Sequence, residues 1–186
     1  MWPMILGEKT RLRGIEREDI PTFVRWLNDP DVRRYLNLYS PISKAEEEGW
    51  FEAQLGDESG RVFAIETLEG LAIGNIGLHQ IDWKNRNAML GIVIAEKEYW
   101  GQGFGTDAVR ALLRFAFDEM NLHRIYLWVF AFNERARRCY QKSGFQQEGL
   151  AREVLFREGR YHDAIHMAVL RREFTDEEPA QSKGQD

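Results

Sequence analysis

The sequence predicts one α+β domain, a mixed and mostly antiparallel twisted sheet flanked by helices, on three observations. The chain has 186 residues, the size of a single domain. Stretches with a helical apolar period lie among β-rich runs. Three of those runs follow one another with only short polar turns between them, as in an antiparallel meander. Hydrophobic residues make up 44% and aromatic residues 12% of the chain, which is ample for a core at this length and excludes disorder throughout.

Taken in order, residues 10–13 read as a short strand. Asp19 is placed to cap a helix carrying Phe23, Trp26 and Leu27, which ends near Asn28-Asp29-Pro30. Ser43 and Glu46 have capping-box spacing and open a helix through Trp50, Phe51 and Leu55. Residues 61–67 and 72–81 form a hairpin around Leu68-Glu69-Gly70-Leu71, and a polar turn at 82–87 leads into a third run at 88–94. Val109, Leu112, Leu113, Ala116, Phe117 and Met120 then recur at helical offsets, with Arg110, Arg114 and Asp118 opposite. Residues 122–132 read as a strand with Ile125, Leu127, Val129 and Ala131 on one face and Tyr126, Trp128, Phe130 and Phe132 on the other. The aromatic row is most simply core. Asn133 caps a short helix that stops at Ser143-Gly144, and residues 145–150, 152–157 and 160–170 read as strands, the last two joined at Glu158-Gly159. The domain therefore spans residues 1–174. Residues 175–186 have no large apolar side chain and are expected to form a disordered acidic tail.

Net charge is −5, from 25 Lys and Arg against 30 Asp and Glu. The tail holds Asp176, Glu177, Glu178 and Asp186 against Lys183, which accounts for −3 and leaves −2 on residues 1–174. This balance argues against a sequence-blind nucleic-acid binder and gives no support for a polycationic substrate. No apolar run approaches the ~18–20 residues of a membrane helix, and the N-terminus shows no charged-then-apolar leader. With Cys139 as its single cysteine the chain has no internal disulfide, as befits a reducing compartment. We read it as soluble and cytoplasmic, without nucleic-acid or membrane partners. His162 and His166 share a strand face but lack further convergent ligands, so no metal is expected.

The segment Trp100-Gly101-Gln102-Gly103-Phe104-Gly105-Thr106 joins a strand to the clearest helix. Its glycines let the backbone approach a ligand closely, and its amides, with the positive end of the helix, suit phosphate oxygens without any lysine. A flexible connector is the plain alternative. Gly103-x-Gly105-x-x-Ala108 formally matches a dinucleotide fingerprint, but residues 96–100 separate it from the strand and the preceding strands are antiparallel. A Walker A loop is excluded because Gly105-Thr106 lacks the lysine.

The run Ala88-Met89-Leu90-Gly91-Ile92-Val93-Ile94, the glycine segment, and Asn133-x-x-Ala136-x-x-x-Tyr140-x-Lys142-x-Gly144-Phe145 occur in this order. Together they resemble the GNAT superfamily of acyl-CoA N-acyltransferases, in particular its branch of ribosomal-protein N-terminal (RimJ/RimL-like) and spermidine acetyltransferases. The resemblance covers about residues 8–172. It implies a GNAT-like fold, acetyl-CoA as co-substrate, an amine as acceptor and no metal, with a homodimer left open. It places the diphosphate on Gly101, Gln102, Gly103, Phe104, Gly105 and Thr106, and the pantetheine arm along Ile92, Val93 and Ile94, whose backbone groups can bond its amides. Asn133, Ala136 and Lys142 complete the cofactor contacts. Asn133 and Tyr140, seven residues apart, share a helix face, though Asn133 as a cap alone remains open.

Transfer from a thioester to an amine needs a neutral amine, a stabilised oxyanion and a protonated leaving thiolate. An amine of pKa near 10 is only about one part in a thousand neutral at pH 7, so a base is required. A backbone N–H near Ile92–Ile94 is the candidate oxyanion donor, and the resemblance implies Tyr140 as the acid on the thiolate. Cys139 as an acylated nucleophile is a rival, placed about 100° around the helix from Tyr140. The base is unassigned: Met89 and Trp128 stand where relatives carry acids, and His79, Glu96 or Glu98 are substitutes. Glu46, Glu47 and Glu48 could meet a cationic substrate, although acids are expected in a first helical turn. The leading reading is direct acetyl transfer to a protein N-terminus or small amine; the alternatives are a polyamine acceptor or a catalytically silent acyl-CoA-binding module.

Overall fold

In the computed structural model, which describes residues 4–175, the strands are β1 (Ile5–Leu6), β2 (Thr10–Gly14), β3 (Arg61–Thr67), β4 (Ala72–Asp82), β5 (Asn87–Ile94), β6 (Arg124–Phe130), β7 (Gln146–Arg157) and β8 (Arg160–Leu170). They form an eight-stranded sheet in the order β1-β2-β3-β4-β5-β6-β8-β7. Every neighbouring pair is antiparallel except β5 and β6. The helices are α1 (Ile20–Asn28), α2 (Pro30–Arg33), α3 (Lys44–Leu55), α4 (Phe104–Arg114) and α5 (Glu134–Lys142). The expected tail lies, apart from Thr175, outside the described residues.

Alternation along the strands sends one face to the main core, where Ile76, Leu78, Ala88, Leu90, Ile125 and Leu127 pack against Val109, Leu112 and Leu113 of α4. Each fully buried leucine there contributes about 1.5–3 kcal/mol of transfer free energy. On the opposite face Val93 and Ala72 meet Phe23, Trp26 and Val32 beneath α1 and α2. That second cluster includes no residue of β6. The aromatic row expected in the core is therefore not there: Trp128 is 50% exposed, and the buried side of β6 is the aliphatic one.

Other differences have local causes. Asp19 precedes α1 but does not cap it, because its carboxylate takes Arg13 at 2.7 and 2.8 Å and the Glu16 amide at 2.8 Å. The two strands expected at 145–150 and 152–157 are one strand, β7, with a register shift between Ala151 and Leu155 where Glu153 has φ +54°. The long helix changes to a π-turn over Phe115–Glu119. Ser43 and Glu46 form the expected capping box of α3.

One backbone feature sets the site. β5 and β6 pair only from Asn87 to Met89 against Arg124 to Tyr126. Beyond that they part, each still paired with its outer neighbour, Ile92 with Ile76 and Val129 with Ile165. Gly74 lets β5 hug β4 as far as Ile94, since a Cβ on it would lie 2.0 Å from the Val93 oxygen. The facing edges of β5 and β6 are left without strand partners.

Candidate active site

A cleft of about 1200 Å³ opens where the two strands part, with residues 89–94 on one wall and 128–130 on the other. The glycine loop closes one end. Gly101 and Gly103 have φ of +75° and +88°, which only glycine adopts without strain. The first α4 bond runs from the Asp107 N–H to the Gly103 oxygen at 3.0 Å. The amides of Phe104, Gly105 and Thr106 precede it and have no partner within the helix, and Gly105 and Thr106 line the cleft. That combination is a ready anion site.

The remaining wall is α5. Asn133 caps it, Oδ1 accepting from the Ala136 N–H at 3.2 Å, and also lines the cleft. Ala136, Cys139 and Tyr140 face inward, with Arg135, Arg138 and Lys142 lining the same cleft. Tyr140 is buried beside Phe145, ring centroids 5.8 Å apart. Burial, with Cys139 adding to it, pushes its phenol above the ordinary value, so it stays protonated through neutral pH. Burial also pushes the Cys139 thiol up to about 11, the Thr106 hydrogen bond opposing this. Cys139 is therefore a protonated thiol at working pH and a poor nucleophile.

Of the cofactor residues expected from sequence, all but two line the cleft. The Gln102 side chain turns to the Glu98 carbonyl, and the Phe104 ring stacks edge-on with Tyr99 at 5.0 Å, so these two can offer only backbone. One Ile94 carbonyl lone pair accepts from the Trp100 indole at 2.6 Å, and the Val93 oxygen lies against Gly74 of β4, so on the open edge Ile92 has the freer backbone. Among the candidate bases, Glu96 is held by Arg25 and by the Trp26 indole at 2.7 Å. These contacts, the Arg25 bond largest, keep it below the usual carboxylate range. The His79 ring stands over Gly91, where an added Cβ would come within 3.3 Å of Nε2, and burial lowers its pKa against the pull of Asp57. It is neutral at pH 7. None of Glu46, Glu47 and Glu48 lines the cleft.

Several residues that sequence reasoning missed hold the site together. The Arg135 guanidinium lies 3.7 Å from the Trp100 ring centroid and 5.0 Å from that of Tyr35, joining α5, the glycine loop and the segment after α2. Lys9 Nζ donates to the Gln102 oxygen at 3.0 Å. The Asp107 carboxylate accepts from the amides of Glu8, Lys9 and Thr10 at 2.8, 3.0 and 2.8 Å and from the Thr10 hydroxyl at 2.6 Å. Gly7 makes room for it, since a Cβ there would fall 2.2 Å from Oδ2. Arg157 donates to the oxygens of Arg33, Leu36 and Leu38 at 2.8, 2.9 and 3.1 Å. Gly7 was the one visible hint, and only its partner explains it.

An open strand edge leading to an anion-ready helix end suits a long, amide-bearing thioester that terminates in a diphosphate, which sets the molecule among the acyl-CoA-dependent transferases. Residues 9–146 match the model of the acetyltransferase (GNAT) domain, and the chain belongs to this family. It is 30% identical over 169 residues to the spermidine N(1)-acetyltransferase of Vibrio cholerae, covering 91% of this chain and 97% of that protein. It is 33% identical over 169 residues to the uncharacterized prophage-derived N-acetyltransferase YokL of Bacillus subtilis, covering 90% and 93%. It also superimposes on the crystal structure of Vibrio cholerae spermidine N-acetyltransferase in complex with CoA and spermine, with TM-score 0.84, 31% identity, and 89% and 97% of the two chains covered. The chain is an N-acetyltransferase that moves the acetyl group of acetyl-CoA to an amine. Among the described residues no helix is long and apolar enough to cross a membrane.

Proposed function

We propose that the acetyl group passes directly to a primary amine, without an acyl-enzyme, and that Tyr140 protonates the departing thiolate. The observation that carries this is the Tyr140 phenol, buried on α5 and lining the cleft between the parted strands. Desolvation that raises the phenol also raises a thiolate leaving into the same cleft, so the two stay matched well enough for proton transfer. Gly101 to Thr106 take the diphosphate through their amides, the open edge of β5 at Ile92 to Ile94 pairs with pantetheine, and Asn133, Ala136 and Lys142 complete the cofactor site. A strand amide near Ile92 facing the carbonyl would contribute on the order of 3 kcal/mol to the oxyanion. His79 is the base: it is neutral, lies against the cleft-lining Gly91, and can take the proton through water. Protein N-termini, as for RimJ/RimL-like enzymes, and small amines are the acceptors under consideration, with the cytoplasm as the place of action and a homodimer as the assembly.

The test is thiol release from acetyl-CoA across a panel of amines and N-terminal peptides, beside calorimetric binding of CoA. Turnover on at least one amine, with His79→Gln removing the acidic limb of the pH profile, is expected. Tight CoA binding without turnover on any acceptor would instead favour a silent binding module, a reading that the absence of a carboxylate at Met89 and Trp128 brings forward. Failure to bind CoA would end both.

A further inference from the structure

The walls of the cleft differ in chemistry. Its lining cations, Arg135, Arg138 and Lys142, all belong to α5, and the Arg135 guanidinium lies 3.7 Å from the Trp100 ring centroid at the glycine loop, where cofactor phosphates would neutralise positive charge. The strand walls contribute Met89, Gly91, Trp128, Phe130, Ala151 and Ala164, all uncharged. Among the described residues that line the cleft there is no aspartate or glutamate. The carboxylates on the surrounding elements are already engaged: Asp29 and Asp31 share Lys97 at 3.0 and 2.7 Å, Glu158 meets Arg34 at 3.4 Å, Glu96 holds Arg25, and Glu148 holds Arg124. Glu134 on α5 pairs with Arg137. Glu47 is buried within α3, Glu98 lies on the turn before the glycine loop, and Glu153 and Asp163 form a separate polar hollow with Arg152.

Trp128 is the largest side chain of the strand walls. The indole is half exposed in the cleft wall, and its ring is backed by His166 at 4.6 Å, which Glu148 meets at 3.3 Å. The surface is thus a held aromatic plane rather than a loose side chain. A flat apolar group gains by stacking on it. A second ammonium on the acceptor would find no carboxylate here among the described residues, only the face of the half-exposed ring, whose pull on a cation is weak at an exposed site.

We propose that the acceptor is a monoamine whose amino group is carried on an apolar, preferentially aromatic group that lies against Trp128, and that polyamines are disfavoured. This rests on the acetyl-transfer reading of the cleft given above. The experiment is steady-state thiol release with acetyl-CoA and either phenethylamine or spermidine, using the full chain, Trp128→Ala and Met89→Glu. The native chain is expected to show kcat/KM at least about tenfold higher for phenethylamine. Trp128→Ala should lower that value about tenfold through the KM for the amine, with the KM for acetyl-CoA unchanged. Met89→Glu should shift the ratio toward spermidine by placing a carboxylate on the wall. Spermidine used as well as or better than phenethylamine by the native chain would overturn the proposal while leaving acetyl transfer intact. Absence of thiol release with every amine would overturn the transfer reading and this proposal with it.

Discussion

Replacing Asp107 with alanine should damage both stability and cofactor affinity, by amounts that can be worked from its contacts. Its carboxylate accepts four hydrogen bonds, three of them on Oδ2, and ties the β1–β2 turn to the first turn of α4. Bonds to a charged group contribute roughly 1.5–3 kcal/mol each when shielded and much less when exposed. Only the two from Thr10 are part-buried, so the total loss is about 3 kcal/mol. For a chain of this size that lowers the melting temperature by roughly 6–12 °C. Asp107→Asn should cost less, because its oxygen can keep the three bonds now made by Oδ2 while its NH2 opposes only the Glu8 amide. Loosening the turn also releases Lys9 from the Gln102 oxygen, so the KM for acetyl-CoA should rise with little change in kcat. Thermal unfolding followed by circular dichroism and initial-rate kinetics measure the two effects. An alanine variant melting within about 1 °C of the native chain, with an unaltered KM for acetyl-CoA, would mean that these contacts support neither the turn nor the cofactor site.

Three further outcomes are expected. Arg157→Ala frees three carbonyls of the segment beside the cleft, so initial rates should show the amine KM raised about tenfold and the acetyl-CoA KM unchanged. Burial raises the pKa of Glu47, so its folded-state pKa exceeds the unfolded one; stability is complete below the unfolded value and falls as pH rises through the folded one. Glu47→Gln should therefore melt higher than the native chain at pH 8 and at the same temperature at pH 4, by calorimetry. With a thiol pKa of about 11 instead of 9, Cys139 should react with iodoacetamide at pH 7.5 about 100-fold more slowly in the native chain than after unfolding, by mass spectrometry.

Residues 43–46, the 109–120 periodicity and Asn133 announced their helices because capping and apolar period are local properties, although the second of these helices gives way to a π-turn at Phe115. The glycine loop was legible for the same reason. The cleft itself was not, because it depends on where the β5–β6 pairing ends, and nothing in either strand marks Met89 and Tyr126 as the last partners. The aromatic row of β6 misled because burial of a strand face is decided by what packs on it, and α1 and α2 cover β4 and β5 instead. The unbroken β7 was missed because a bulge at Ala151–Leu155 looks like a chain break in an alternation pattern. The ties of Asp107 to Gly7–Thr10 and of Arg157 to residues 33–38 cross about a hundred residues of sequence, which no local pattern records.

The proposed mechanism stands on Tyr140 supplying the proton to the leaving thiolate. Replacing it with phenylalanine removes one hydroxyl and keeps the ring against Phe145, so cofactor binding and melting temperature should be retained. With acetyl-CoA and the preferred amine, the kcat of Tyr140→Phe is expected to fall about 100-fold, the lower range for loss of a general acid, with the KM for acetyl-CoA within about threefold of native. A kcat equal to that of the native chain would contradict it.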